Sequence, residues 1–237
     1  MWLLEDGEST GKNSTDYDWE TYQDLPELNA WIDAAVARHP EVASILVAGS
    51  SFEGRPLKGV RICHGPGRPV VFVEADSGSS DNPRSPHYRG SSPFSEPETR
   101  SLSDFLRGLK GRLLVYVSLH TYKQALTWPY GLSYERADNN QELMEVAGIS
   151  AEALSRRYGT KYQTGTIFDI FGGVSGSSVD RVKKWLGARF VFEYELRDTG
   201  GFGLLLPPAQ VRPTAEETAD SLVAMMREVL ARTAAPH

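Results

Sequence analysis

The sequence predicts an α/β domain whose sheet is covered by helices on both faces, and three observations carry the prediction. Apolar stretches short enough for strands interleave with longer stretches of helical periodicity. Several strand candidates are apolar throughout, such as "VVFVEA" at 70–75 and "RLLVYVSLH" at 112–120, the pattern of strands buried on both faces. The chain has 237 residues, 40% hydrophobic and 24% charged, which suits one large globular domain with a substantial core better than two.

The elements follow in order. Residues 1–18 are polar and read as a leader, with the domain occupying 19–237. "DLPELNAWIDAAVARHP" predicts a helix capped by Asp24, with Pro26 in its first turn. Its apolar stripe is Leu28, Trp31, Ile32 and Ala35, and Pro40 ends it. "ASILVAGSSFEGRPLKGVRICHG" predicts two strands around a turn at Glu53-Gly54, and residues 70–75 a third. "SEPETRSLSDFLRGL" reads as a helix capped by Ser95, with Pro97 and acids near its positive end. A strand over 112–120 ends at His120. Asn140–Tyr158 predicts a helix, and a short one follows Ser178. "ARFVFEYEL" predicts a strand ending at Glu195, and the last helix is opened by Thr214.

Composition and motifs exclude several functions. The net charge is -6 and no basic run exists, which argues against a nucleic-acid surface. No apolar block is long enough to span a bilayer, so neither nucleic acid nor membrane is expected as a partner. The first residues lack the basic start and apolar core of a secretory signal. Cys63 is the single cysteine, which rules out an internal disulfide. No G-x-S-x-G elbow is present. Gly172, Gly173 and Gly176 lack the lysine of a phosphate cradle and read as a plain turn.

In α/β domains chemistry gathers past the carboxyl ends of strands, where His120 and Glu195 both fall. His120 reads either as a hydrogen-bonded strand-end histidine or as a working one. Glu195, followed by Arg197 and Asp198, reads either as half of a structural ion pair or as a general base. His39, His64, His87 and His237 carry less weight.

Longer motifs complete the reading. "GSSFEGRPLKGVRI", "PHYRGSSPFSEPETRSLSDFL", "SLHTYKQALTWPYG", "SGSSVDRV" and "FEYELRDTGGFGLLLPPAQVRPTAEET" occur in this order over most of the chain. Together they resemble the zinc metallocarboxypeptidases of the carboxypeptidase A/B subfamily. The resemblance implies a mixed central sheet flanked by helices, a zinc cofactor and hydrolytic removal of C-terminal residues from peptides or proteins. It implies that His120 matches a zinc ligand and Glu195 the general base. Tyr122 matches a groove tyrosine. Val179 matches the base of the specificity pocket, where valine implies apolar or aromatic C-terminal residues. Secretion is implied by the same resemblance.

The chain departs from the pattern after "VVFVEA". The family's His-x-x-Glu pair of zinc ligands should follow, yet the sequence continues "DSGSSDNPRSP". Asp81 falls where the ligand glutamate would be, but Gly78 where the histidine would be. Glu74, Asp76 and His87 are the other candidate substitutes, and His87 matches a family position that is not a ligand. The Asn-Arg pair that grips a substrate carboxylate, the oxyanion arginine, a helix and a sheet strand have no counterpart. The mobile tyrosine's place is taken by Gly172, beside Phe171. The expectation is an internal deletion near 75–80 and impaired or absent hydrolysis. A non-catalytic peptide- or protein-binding relative and a truncated product without its own function are the alternatives.

Overall fold

The computed structural model describes residues 18–63, 65, 67–74, 91–92 and 94–234. Nearly all of the predicted leader, the seam around 75–80, and His64, His87 and His237 lie outside the described residues.

Helix α1 (Leu25–Arg38) starts where the sequence places it. The Asp24 carboxylate accepts from Glu27 N at 3.1 Å, and the Glu27 carboxylate accepts from Asp24 N at 2.9 Å. Each side chain thereby satisfies an amide that the first helical turn cannot. Strands β1 (Ala43–Ser50) and β2 (Pro56–Ile62) then form an antiparallel hairpin, and β3 (Val70–Glu74) follows. Helix α2 (Pro97–Gly108) begins one residue later than expected. Glu96 holds the cap position, and the Ser95 hydroxyl donates to the Glu96 carboxylate at 2.8 Å instead of capping. Helix α2 crosses close to β1, because a Cβ on Gly49 would stand 2.2 Å from Ser101 Cβ.

The second half of the chain supplies β4 (Leu113–Thr121), β5 (Ala125–Trp128), α3 (Asn140–Tyr158) and β6 (Gln163–Thr166). The short helices α4 (Ile167–Phe171) and α5 (Ser178–Arg181) come next, the latter running into a wide π turn at Val182–Leu186. Strand β7 (Phe190–Leu196) and helix α6 (Val211–Ala234) complete it. Thr214 does not open α6. A 3-10 turn at Pro208–Gln210 leads in, and the Thr214 hydroxyl donates back to Gln210 O at 2.6 Å.

Strands β3, β4, β7, β5 and β6 form one sheet in that spatial order, with β5 antiparallel to β7 and the other pairs parallel. Side chains alternate across a strand, so register sorts them onto two faces. Val115, Val117, Leu126, Phe190, Phe192 and Tyr194 pack with α3 and α6 through Leu143, Val146, Leu154, Met225 and Val229. On the opposite face Tyr116 and Val191 pack with Leu106 of α2, Ile167, Val179 and Val182. The predicted mixed sheet with helices on both faces is the observed architecture.

One buried polar knot ties the last helix to the sheet. Arg197, just past β7, donates through Nε to Glu217 of α6 at 2.8 Å and through Nη2 to Thr160 Oγ1 at 2.8 Å. The Thr160 hydroxyl donates to Glu217 at 2.7 Å, and the Glu217 side chain has no exposed surface. Removing one partner would strand a charge in the interior.

Strands β2 and β3 are consecutive in the chain but not paired. The hairpin is a separate two-stranded sheet, and among the described residues no strand pairs with β2 on its other side or with β3 on its other side. A cavity of about 1300 Å³ occupies the gap. Val71 and Val73, on the face that α3 and α6 cover farther along, remain 45% and 42% exposed.

Arg197→Ala is expected to cost about 3–5 kcal/mol in urea unfolding, the cost of an orphaned buried charge. Asp24→Ala is expected to cost about 1 kcal/mol, the cost of a lost N-cap. Similar small losses for both would refute the weight given to the Arg197 knot.

Candidate functional site at the carboxyl edge of the sheet

Period two places a set of polar side chains on the α2 face of the sheet, near the carboxyl ends of β3, β4 and β7. Glu74 lies opposite Ser118, Ser118 opposite Glu193, and Glu193 opposite Thr127. The next row is His120, Glu195 and Ala125. The register thus brings His120 and Glu195 together as neighbours. It also brings in Glu193 and Glu74, of which the sequence reading had singled out only Glu74.

Each group has an identifiable environment. Glu74 accepts from the Tyr116 hydroxyl at 2.6 Å. His120 Nε2 shares a 2.6 Å hydrogen bond with Ser118 Oγ. Glu195 makes no ion pair with the residues that follow it. Arg197 is engaged by Glu217, and Asp198 accepts the backbone amides of Gly200 and Phe202. Burial, with added repulsion from Glu193, pushes the Glu195 carboxyl up to about 7, against the pull of Lys123. Of the two readings left open for Glu195, the structure removes the ion pair. Glu193 is also pushed up to about 7, first by burial and then by Asp180 and Glu74. Asp180 is raised by burial although Gly131 N donates to it at 2.9 and 3.1 Å.

The remaining predicted residues divide. Tyr122 is 39% exposed at the end of β4, and its ring lies against the loop after β7. A Cβ on Gly200, whose φ is +114°, would come within 3.3 Å of that ring. Val179 is fully buried among Tyr116, Val191 and Ile167, so it is a core residue beneath the site. Lys123, which the sequence reading passed over, lies near enough to lower Glu195, and its ammonium stands 5.7 Å from the Phe171 ring centroid. The signal for Glu193 was present: in "FEYEL" two glutamates two residues apart must share a strand face.

A carboxyl that titrates near neutrality can hold or give up a proton at pH 7, as acid–base chemistry needs. Zinc chemistry needs three protein ligands with one open position. Among the described residues no group of three His, Cys, Asp or Glu side chains is arranged to hold a metal ion. His120 is the one histidine at this edge among them. The described residues therefore do not fit a zinc centre.

Comparison with known proteins agrees with the geometry of the sheet. A family model described as zinc carboxypeptidase matches residues 28–77 and 74–221, in two parts that meet at the end of β3. Zinc carboxypeptidase A 1 of Anopheles gambiae is 31% identical over 301 aligned residues, taking in 91% of this chain and 70% of the relative. Carboxypeptidase A2 of Mus musculus is 43% identical over 152 residues, 64% of this chain and 36% of the relative. The crystal structure of carboxypeptidase A from Helicoverpa armigera superposes with a TM-score of 0.82 at 18% identity, covering 94% of this chain and 77% of that one.

The raised Glu193 carboxyl makes a pH-dependent prediction. Its folded value lies above its ordinary one, so the native state holds more protons than the unfolded state between about 4.5 and about 7. Stability must fall as pH rises through that window. Glu193→Gln is expected to stabilise the protein by about 2–3 kcal/mol at pH 8 and hardly at all at pH 4 in urea unfolding. An equal gain at both pH values would show that burial of this charge is not the cause.

Proposed function

This chain belongs to the zinc carboxypeptidase family, and we propose that it keeps the sheet and general-base carboxylate of that lineage without the metal site that drives hydrolysis. One observation carries the reading. Of the five histidines in the chain, none is followed or preceded three residues away by a glutamate. The His-x-x-Glu zinc pair is therefore absent from the sequence as a whole. One histidine in the matching position, His120, cannot by itself make a three-ligand centre.

In this reading His120 is the remaining family ligand and Glu195 the remaining base. Tyr122 lines the groove, and Val179, buried in the core beneath it, holds the place of the apolar pocket base in the lineage. Without a metal to polarise water, Glu195 has no activated nucleophile to deprotonate, so its near-neutral titration leads to no turnover. Peptide or protein C-termini are the partners the groove would accept, and secretion is the location that the lineage suggests.

The two-part family match supports an internal deletion at the seam. So does the aligned length of 301 residues to the Anopheles relative, against 91% of a 237-residue chain. Loss of one contiguous block favours a shortened product over a relative whose ligands decayed one by one.

Purified protein is expected to hold far less than one zinc per chain after dialysis against zinc and to release no C-terminal phenylalanine from a blocked dipeptide. Glu195→Gln is expected to change neither result. One zinc per chain with chelator-sensitive release would overturn the proposal.

A further inference from the structure

We propose that the slot between β2 and β3 binds an extended, acid-ended segment of another polypeptide, which enters as an added strand. The slot is flanked by two strand edges. Among the described residues β2 pairs only with β1, and β3 only with β4, so each keeps a second row of backbone amides and carbonyls that no strand pairs, and residues of both strands line the cavity. Such rows pair readily with a further strand, and one seated here would satisfy both at once. A single open edge is common in sheets. Two that border one cavity of about 1300 Å³ suit it to receive one strand.

The walls select the occupant's side chains. Leu28 and Ile32 of α1 line one part of the cavity, and Leu102, Phe105 and Leu109 of α2 another. Ile62 of β2 is 68% exposed there, a large apolar side chain with nothing to cover it. The occupant must therefore carry apolar or β-branched residues along its length.

Charge sets its ends. Arg61, Arg68 and Arg112 line the cavity around the end of β2 and the start of β3. Arg61 and Arg68 lie near enough to Cys63 to help lower its thiol pKa, an effect led by the bond that Gly65 N donates to Cys63 Sγ at 3.3 Å. Arg112 is fixed beside β3 by the bond from Val70 N to its carbonyl at 2.8 Å. The other cations of the wall are already matched, Lys58 by Asp33 at 2.6 Å and Arg55 by Glu53 at 2.6 Å. No ion pair engages Arg61, Arg68 or Arg112 among the described residues. Three unmatched arginines grouped in a protein of net charge -6 call for carboxylates at one end of the incoming strand.

The probe is a soluble peptide, acetyl-Glu-Val-Thr-Val-Thr-Val-Glu-amide, titrated into the full chain by calorimetry with amide hydrogen exchange in parallel. Micromolar binding is expected, with slowed exchange at β2 and β3 amides. The lysine-ended peptide is expected to bind about tenfold more weakly, as is the glutamate-ended peptide to an Arg68→Glu, Arg112→Glu double variant. Both arginines are exposed, so the variant should fold, and its unchanged circular dichroism would establish that. A peptide N-methylated at alternate residues should not bind. Absence of binding, equal binding of the lysine-ended peptide, or indifference to N-methylation would each overturn the proposal. Concentration-dependent dimers that protect the same amides would also overturn it, by showing that a second copy fills the slot.

Discussion

Everything at the carboxyl edge depends on the register of three parallel strands, β3, β4 and β7. Each strand alternates, so fixing the pairing of one residue fixes the face of all the others. Phe190, Phe192 and Tyr194 go towards α3 and α6, which obliges Val191, Glu193 and Glu195 to face α2. Burying the aromatic residues therefore carries two carboxylates into a half-buried setting where neither ionises easily. The perturbed glutamates are a consequence of the core. Tyr194 secures that register further, since its hydroxyl meets Ser221 of α6 at 2.8 Å, and Ser221 donates to Ser150 O of α3 at 2.8 Å.

The same register exposes what surrounds β3. Its Phe72 side is covered, with the Phe72 ring 5.7 Å from that of Phe105 and 6.1 Å from that of Tyr116. Its Val71 and Val73 side is not. Among the described residues β3 has one open edge and one open face, and it is weakly held compared with β4 and β7, more than half of whose side chains are buried. Local opening should begin at β3 and the hairpin before it reaches the β4–β7 centre.

Much of this fold was legible in the sequence because its strands and helices are long or strongly patterned. Asn140–Tyr158 and the β7 run were read nearly to the residue, since nineteen helical residues and seven apolar-rich strand residues leave little ambiguity. Strands β5 and β6 were missed, because four residues are too few to show a period. The caps of α2 and α6 shifted for local reasons: Ser95 bonds its neighbour Glu96, and Thr214 bonds back to Gln210. For the site, His120 and Glu195 were visible as polar ends of apolar strands. Glu193 was hidden inside the same strand, and Lys123 became relevant only through the turn that brings it to Phe171 and Glu195.

A near-neutral glutamate is often taken as a mark of catalysis, yet here the cause of the shift separates the two ideas. Desolvation is the leading cause at both Glu193 and Glu195, followed by repulsion from other carboxylates. Those forces act whether or not a substrate or a metal is at hand. A bound dication would reverse them, drawing nearby carboxyls down instead of leaving them raised. Among the described residues, Glu74 and Asp180 raise Glu193, Glu193 raises Glu195, and Lys123 and Lys184 act the other way, on Glu195 and Asp180. The carboxylates persist there because the strands that carry them are required by the core on the other face of the sheet.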